Sequence, residues 1–352
     1  MDIRTYLVTA VALFGMTVCS AQEPGQTAPI KGKPILTVFA DYKAGLGNAN
    51  DVSGFNLNRA FAGYEVSLPK GFSAKVVLNV ESYATEDGKT KFDAYLKNAQ
   101  VNWRKNGFSV ALGLVNLNQF SVQENAWGHR YIAKSFQEEY GFAYCEDIGI
   151  VAAYDFSPSI SVDMAFTNGE GRKFKNEDNN YRYGAGITWR PVKGLLLRGY
   201  ADVHSRTGTP EAAQPFKDQY SLALFAGYAH RLFSVGAEFD KSYNHRFISG
   251  ADLTGYSVYS TVPLYKAWKW YGRFDLLDAS RNDITQREGN LIILGVDYQP
   301  IPYLRLSPNF QSWKGKGQAR HDDHLPAASS QCADTIASRD SHDSIATKST
   351  HI

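Results

Sequence analysis

The stretch YRYGAGITWRPVKGLLLRGYADVH, residues 181–204, contains two segments of alternating character joined by the tight link PVK. A period of two residues is typical of a β-strand, because successive side chains point to opposite faces of a sheet. One face of the second segment is apolar or small, with Leu197, Gly199, Ala201 and Val203. The other face is polar, with Arg198, Tyr200, Asp202 and His204. The stretch predicts an antiparallel hairpin with one apolar and one charged face.

The same alternation predicts about fifteen strands along the chain. They lie near residues 34–43, 55–68, 72–83, 94–105, 107–116, 147–157, 159–167, 181–190, 194–204, 218–229, 231–241, 253–263, 266–277, 290–299 and 302–311. The links alternate between short ones, such as PKG and KNG, and long ones, such as ATEDGKTKFD. Outer-membrane barrels have this layout, with tight periplasmic turns and long outer loops. We therefore predict an all-β fold, a transmembrane up-and-down antiparallel β-barrel.

The composition agrees with such a barrel. The 352 residues carry a net charge of +2, which indicates no basic surface for nucleic acid. Aromatic residues make up 13% of the chain, a proportion that is usual where rings lie at a lipid interface. Beyond the N-terminus no apolar run approaches the ~20 residues of a spanning helix. A membrane barrel permits this, because lipid contacts only every second side chain of a strand.

The N-terminus resembles a secretory signal peptide over residues 1–21. It has Arg4, an apolar core that ends at Val18, and small residues up to Ala21, where we expect cleavage. An anchoring helix is the alternative, but the apolar core is too short to span a bilayer. A lipoprotein site at Cys19 is a second alternative, which the bulky residue before it disfavours. The prediction is export to the cell outer membrane.

We expect a linker over residues 22–33, a barrel over 34–313 and an aberrant, disordered tail over 314–352. Single-chain bacterial barrels carry an even number of strands, so a sixteenth strand should follow the fifteenth. The tail contains His, Asp, Ser and Ala without any period, so the last strand is missing from it. We interpret the tail as the product of a frameshift or a truncated gene. The alternative is a genuine soluble tail on a barrel that is closed by other means.

Charged residues recur on the polar face of the predicted strands. A basic side chain at mid-membrane depth costs ~2–4 kcal/mol against lipid, so these faces should line water. The residues that we predict to line the lumen are Arg59, Lys75, Arg182, Arg198, Asp202, Arg273, Asp275 and Arg305. The prediction is a water-filled pore. The alternative is that opposite charges on neighbouring strands pair and fill the interior.

The stretch FNLNRAFAGYEVSLPKGFSAKV resembles the second and third strands of the phosphate-selective porins of the O and P type. Further stretches are similar to the porin-like members of that superfamily from the Bacteroidetes group, among them NAWGHRYIAKSFQEEYGF, YRYGAGITWRPVKGLLLRGYADV and LGVDYQPIPYLRLSPNFQSW. The resemblance covers roughly residues 34–314. It implies a sixteen-stranded outer-membrane channel, often a homotrimer, inserted by the barrel-assembly machinery and surrounded by outer-membrane lipid. It also implies that the long third loop folds inward and narrows the pore.

The matching loop is residues 117–146, which contain His129, Arg130 and Lys134. Cations at a constriction attract anions, and Arg can bind two phosphate oxygens at once. The predicted lumen mixes acids and bases in comparable numbers, unlike the arginine ladder of phosphate-selective members. The predicted function is therefore passive diffusion of small ions and polar solutes, with anions such as phosphate as candidates. In the alternative interpretation, Arg130 and Lys134 pair with Glu138, Glu139 or Glu146 and hold the loop down.

The sequence contains no pattern that indicates an enzyme. No G-x-S-x-G occurs, and no nucleotide fingerprint is present, so we predict no catalytic residues and no cofactor. HDDH at 321–324 lacks further ligands, so no metal site is predicted. Cys145 and Cys332 are too few for a disulfide framework. The alternative to a channel is a structural or surface-recognition barrel with a plugged lumen.

Overall fold

A computed structural model describes residues 31–46, 53–84, 90–142, 144–176, 179–206, 217–281, 284–285 and 287–316. Its main element is one antiparallel sheet of sixteen strand segments. The predicted signal peptide, most of the linker and the tail beyond residue 316 lie outside the described residues. No helix among these ranges is long and apolar enough to cross a membrane.

The described residues contain sixteen strand segments, two α-helices and two short 3-10 turns, Pro69–Gly71 and His245–Phe247. The strands are β1 (Lys31–Ala44), β2 (Ser53–Ser67), β3 (Phe72–Ala84), β4 (Thr90–Lys105), β5 (Phe108–Asn116), β6 (Glu146–Asp155), β7 (Ile160–Thr167), β8 (Arg182–Trp189), β9 (Leu195–His204), β10 (Gln219–His230), β11 (Phe233–Tyr243), β12 (Leu253–Pro263), β13 (Trp268–Ala279), β14 (Gly289–Ile301), β15 (Leu304–Leu306) and β16 (Asn309–Gly315). The two helices, α1 (Asn118–Trp127) and α2 (Phe136–Glu139), both lie between β5 and β6.

Each strand from β1 to β14 pairs with the next one in the sequence. Both β15 and β16 pair with β14, so they form one pass of the chain that is interrupted near Pro308. Proline has no N–H for the ladder and is expected at such a break. The up-and-down antiparallel fold is therefore confirmed, and all fifteen predicted passes are present. Within the described ranges no ladder joins β1 to β15 or β16, so the sheet is not closed there.

Short and long connections alternate as the sequence predicts. The short turns follow the even-numbered strands and lie at one end of the sheet. In the turn between β4 and β5, for example, Asn106 and Gly107 both have positive φ. Such a two-residue turn suits the right-handed twist of the paired strands. The long connections lie at the other end, and the longest described one joins β5 to β6.

The two faces of the sheet also differ. In β12 and β13 the large apolar side chains Tyr256 and Phe274 are 50% and 42% exposed, whereas the adjacent Ser257 and Arg273 are 4% and 3% exposed. We call the face with the buried polar residues inward, because the β5–β6 loop lies against it, and the other face outward. Exposed apolar side chains cover the outward face from β1 to β16. An outward apolar band with an inward polar face is the pattern of an outer-membrane barrel.

Aromatic rings collect near the short turns. A chain of neighbouring rings crosses β3 to β6 with centroids 4.8–6.5 Å apart; it consists of Phe72, Trp103, Phe108, Tyr154 and Phe156. A similar stacked pair joins the start of β13 to the end of β14, near the short β12–β13 turn, with 4.2 Å between the rings of Trp268 and Tyr298. Amphipathic rings of this kind favour the membrane–water interface.

Several strand boundaries differ from the sequence-based predictions. Strand β1 begins at Lys31, inside the predicted linker over residues 22–33, because its first residues pair with the end of β2. Strand β4 begins at Thr90 rather than near 94, because its first residues pair with the end of β3. The last pass continues to Gly315, beyond the predicted end of the barrel at Trp313, since Lys314 and Gly315 pair with Asn290 and Gly289. The all-β prediction also missed both helices, which lie in the β5–β6 connection.

Candidate functional site: the inward loop and a cationic cluster

The β5–β6 loop begins with α1, whose side chains face the sheet. Phe120 is 2% exposed and packs in a cluster with Val115, Leu117, Cys145 and Val151. The helix ends where Gly128 takes a left-handed conformation with φ of 69°. Glycine adopts this conformation without a Cβ clash, which is why it commonly terminates helices. The turn at Gly128 directs the following residues toward β12 and β13.

Trp127 and His129 attach the middle of the loop to the inward face of β12 and β13. The rings of Trp127 and Tyr259 are 5.2 Å apart, and His129 stacks on Tyr271 at 4.3 Å. His129 Nε2 lies 3.0 Å from the hydroxyl of Thr261. Burial lowers the pKa of His129 to about 4, so its ring is neutral at physiological pH.

The tip of the loop is α2, which packs against an apolar surface of β12 and β13 that we call its seat. Phe136 and Phe142 are fully buried there against Leu253 and Leu277. A Cβ on Gly255 would lie 2.4 Å from the ring of Phe136, so only glycine leaves room for this ring. The loop therefore has a fitted apolar seat on strands distant from its own β5 and β6.

Arginines of the sheet bind backbone carbonyls of the loop beside that seat. Arg273 pairs with Asp275 through two hydrogen bonds of 2.8 and 2.7 Å and donates a third, of 2.6 Å, to the carbonyl of Lys134. Arg305 pairs with Asp297 at 2.7 Å and donates to the carbonyl of Gly128 at 3.0 Å. These arginines are thus used in holding the loop.

Two more predicted lumen arginines are paired within the sheet. Arg198 makes a bidentate pair with Asp163 at 2.6 and 3.0 Å, and Arg182 binds Asp202 at 2.7 Å. All four side chains are less than one-tenth exposed. We call the inward faces of β6–β14 the packed wall. On the packed wall these arginines are paired with acids of nearby strands. This is the arrangement that we considered as the alternative to a water-filled interior.

A cluster of cations and carboxylates lies across the lumen on β2–β4. Arg59 is 3.4 Å from Glu81 and 3.6 Å from Glu138 of α2, so the loop tip contacts both sides of the sheet. Lys97 pairs with Glu146 at the base of the loop. We call the inward faces of β1–β4 the open wall, because it keeps half-buried polar side chains such as Lys75 and Gln100 beside buried ones such as Arg59 and Glu81.

The β7–β8 connection adds two cations to this cluster. Arg172 lies 2.9 Å from Glu146 and 3.5 Å from Glu81, and its guanidinium carbon is 5.0 Å from the ring centroid of Tyr95. Lys173 is 3.7 Å from Glu81. Neither cation was predicted from the sequence. The run GRKFK was visible as loop charge, but no local pattern shows that this link folds inward.

Arg130 and Lys134, the other predicted loop cations, have different surroundings. Arg130 binds Glu124 and Glu138, both at 2.8 Å. Burial alone would lower the pKa of Arg130, but the two carboxylates outweigh it and raise that pKa. For Glu138, burial would raise the pKa, but Arg130 and Arg59 hold it well below its usual value. Lys134 is half-buried and has no carboxylate within 4.0 Å among the described residues.

The structure thus separates the predicted loop residues. His129 is neutral and lies against the packed wall, because its ring is desolvated and stacked there. Arg130 and Lys134 belong to the cationic cluster, which we define as Arg59, Lys97, Arg130, Lys134, Arg172 and Lys173. Four carboxylates face these six cations, namely Glu81, Glu124, Glu138 and Glu146. Basic side chains therefore outnumber the carboxylates of the cluster by six to four.

The described residues contain no group of three or more His, Cys, Asp or Glu that could hold a metal ion. Cys145 is a buried free cysteine, and burial raises the pKa of its thiol, so it is a weak ligand and nucleophile. The arrangement is suited to electrostatic contact with small charged solutes.

No protein-family model matches the chain, and no curated protein matches it by sequence. Solved structures do match its fold. OmpF of Salmonella typhi in complex with daunomycin is 13% identical with a TM-score of 0.57, over 80% of this chain and 89% of that one. An anion-selective porin from Comamonas acidovorans is 12% identical with a TM-score of 0.57, over 81% and 90%. The in-vitro folded trimer form of OmpT, an outer membrane protein of Vibrio cholerae, is 13% identical with a TM-score of 0.54, over 82% and 89%. These likenesses establish the fold that the chain shares with outer-membrane β-barrels.

Proposed function

We propose that this chain is an outer-membrane channel through which small ions and polar solutes diffuse passively. The observation that carries the proposal is the cationic cluster, which joins the open wall to two inward-folded loops. Side chains at its edge are in contact with solvent, as Lys173 is 25% exposed. A narrow passage of low dielectric constant beside such a cluster concentrates counter-ions. The expected solutes are therefore small anions, phosphate among them.

Several further properties belong to the same proposal. The outward apolar face and its aromatic rims support location in outer-membrane lipid, after export by the predicted signal peptide. A homotrimer is proposed because one similar structure is described as a trimer form. Membership of the phosphate-selective O and P type family, from the Bacteroidetes group, is proposed from the sequence resemblance. We expect no enzymatic activity.

The test is planar-bilayer conductance of the refolded chain, with the reversal potential measured in a salt gradient. We expect stepwise conductance, and we expect the sign of the reversal potential to indicate a preference for anions. Conductance with cation preference would contradict the role of the cationic cluster. Folded, inserted protein that gives no conductance would contradict the channel.

A plugged structural or surface-recognition barrel is the second candidate function. The packing of the loop supports it, because Phe136, Phe142 and Trp127 fill the lumen beside the packed wall. In that case long outer loops would bind a partner, and the bilayer measurement would show insertion without conductance.

A further inference from the structure

Two carboxylates on β11 lie side by side on the packed wall without a cation of their own. Glu238 and Asp240 are 6% and 1% exposed. They occupy alternate positions of one strand, so they share a face and their Cα atoms are about 7 Å apart. No Lys, Arg or His nitrogen of the described residues forms an ion pair within 4.0 Å of either carboxylate.

The neighbouring strands do not supply the missing charge. Ala223 of β10 and Gly255 of β12 flank Asp240, and Phe225 and Ser257 flank Glu238. The hydroxyl of Ser257 donates its hydrogen bond to another residue, at 2.7 Å.

That acceptor is Asp275 of β13, which is already paired with Arg273. The charge of Arg273, which also acts on Glu238, is therefore balanced by that of Asp275. Tyr259 of β12 also faces this region, and its buried hydroxyl has no hydrogen-bond partner in the described part of the chain. The environment of the two acids is thus neutral as a whole.

The loop tip contacts this acid pair directly. Gln137 of α2 donates a hydrogen bond of 2.6 Å to Oδ1 of Asp240. Glu238 accepts a hydrogen bond from the backbone of Phe136, whereas Asp240 Oδ2 and Glu238 Oε2 are buried and have no partner among the described residues. The nearby charged residue of α2 does not compensate them, because Glu139 is itself acidic and pairs with Arg287.

Two adjacent buried carboxylates without a counter-ion are unfavourable when both are ionised. Protonation of one removes the repulsion and the desolvation cost of one charge. When the loop leaves its seat, water reaches the pair and both acids can ionise. The docked state therefore binds more protons than the undocked state.

We propose that Glu238 and Asp240 form a proton-dependent docking site for α2. The site holds the loop tip on the packed wall while at least one of the two carboxyl groups is protonated, and it releases the tip as both ionise. Because the docked state binds more protons at this pair, the contribution of the pair to docking is full where both acids are protonated and weakens as the pH rises. Each additional proton changes the docking equilibrium by up to about tenfold per pH unit.

Hydrogen exchange of the full refolded chain in a bilayer tests this docking without requiring conductance. The reporting amides are in peptides that cover residues 130–142, where Glu139 and Tyr140 donate to the carbonyls of Ser135 and Phe136. Peptides from α1 provide the reference. The titration runs from about pH 6.5, above which His129 is neutral in both states, to about pH 9. Exchange is corrected at each pH with the unfolded chain.

We expect exchange at 130–142 to rise with pH while α1 stays protected. The double variant Glu238→Gln with Asp240→Asn mimics the protonated pair, so its loop should stay protected at every pH. Glu65→Gln, which removes a half-buried carboxyl of β2 away from the loop tip, is the matched control and should keep the wild-type titration.

Either of two results would overturn the proposal. One is pH-independent protection of the wild-type loop over the whole range, which needs no variant. The other is a double variant that is folded, as its mobility on unheated gels shows, but whose exchange at 130–142 rises with pH as in the wild type. Failure of the channel proposal would be seen separately, in the bilayer measurement.

Discussion

The packed wall and the open wall carry the same kinds of charged side chain but surround them differently. The side chains of Arg273 and Asp275 on the packed wall are 1% and 0% exposed, whereas that of Lys173, which faces the open wall, is 25% exposed. Both sets of residues lie on the inward side of one sheet. The difference comes from the β5–β6 loop, which covers one wall and only reaches the other with its acidic tip. The same alternation of charge therefore produces buried ion pairs on one side and, on the other, a cluster in which the loop cations Arg130, Arg172 and Lys173 are only 15–25% exposed.

Removal of the loop's main apolar contact should have the largest effect. Phe136→Ala should weaken loop docking by about 3–5 kcal/mol, because it empties a fully buried aromatic site. Hydrogen exchange of residues 130–142 measures the loss. Phe156→Ala, at an outward ring that is 64% exposed, is the control and should leave the loop protected. Unchanged protection in Phe136→Ala would show that the packed wall does not depend on this contact.

Breaking a buried ion pair should have nearly the same effect. Arg273→Leu should cost about 3–5 kcal/mol of unfolding free energy, because Asp275 is left as an unpaired buried charge. Replacing both partners by leucine should cost less than replacing Arg273 alone. Urea titration of Arg273→Leu, Asp275→Leu and the double variant measures this difference. A double variant as unstable as the sum of the single variants would contradict the pairing.

Acidification should release the middle of the loop through His129. Its pKa is about 4 when the loop is docked, below the ordinary value of 6.5, so the stabilisation is full above about 6.5 and is lost as the pH falls through about 4. The shift corresponds to roughly 3 kcal/mol. Exchange of the amides next to His129 measures it. His129→Gln should abolish this loss of amide protection at acidic pH. If the variant loses protection as the wild type does, another titrating group is responsible.

The cationic cluster beside the open wall should affect selectivity rather than stability. Lys134→Gln combined with Lys173→Gln should lower the permeability of anions relative to cations by about two- to fivefold, from the loss of roughly 1 kcal/mol of attraction at contact distance in water. The reversal potential in a salt gradient measures this ratio. Lys193→Gln, in the short β8–β9 turn, is the control. An equal shift in the control would point to a general effect of net charge.

An exposed ion pair should show the smallest effect. Arg104 and Asp155 are 3.1 Å apart, but their side chains are 73% and 47% exposed. Arg104→Ala should change the unfolding free energy by at most about 0.5 kcal/mol, because such pairs are screened by water. Urea titration of Arg104→Ala and Arg273→Leu under the same conditions compares the two changes in unfolding free energy. A loss as large as that of Arg273→Leu would remove the distinction between the two environments.

Residue parity and link length were sufficient to predict the sheet. Strand geometry is local, so every second side chain can be assigned to one face without any knowledge of the neighbours. The predicted lumen residues Arg182, Arg198, Arg273 and Asp275 do lie on the inward face. The choice between a water-filled and a paired interior could not be made from parity, since it depends on which side chains meet across strands.

The sequence by itself therefore determined the antiparallel sheet, its order and the polarity of its two faces, because these follow from a period of two and from turn chemistry. The tertiary structure decided where the β5–β6 and β7–β8 links go. Contacts such as Gln137 with Asp240 and Arg172 with Glu81 join residues about a hundred positions apart. Only the folded chain brings them together, because the free energy of loop docking comes from burial against distant strands and not from local propensity.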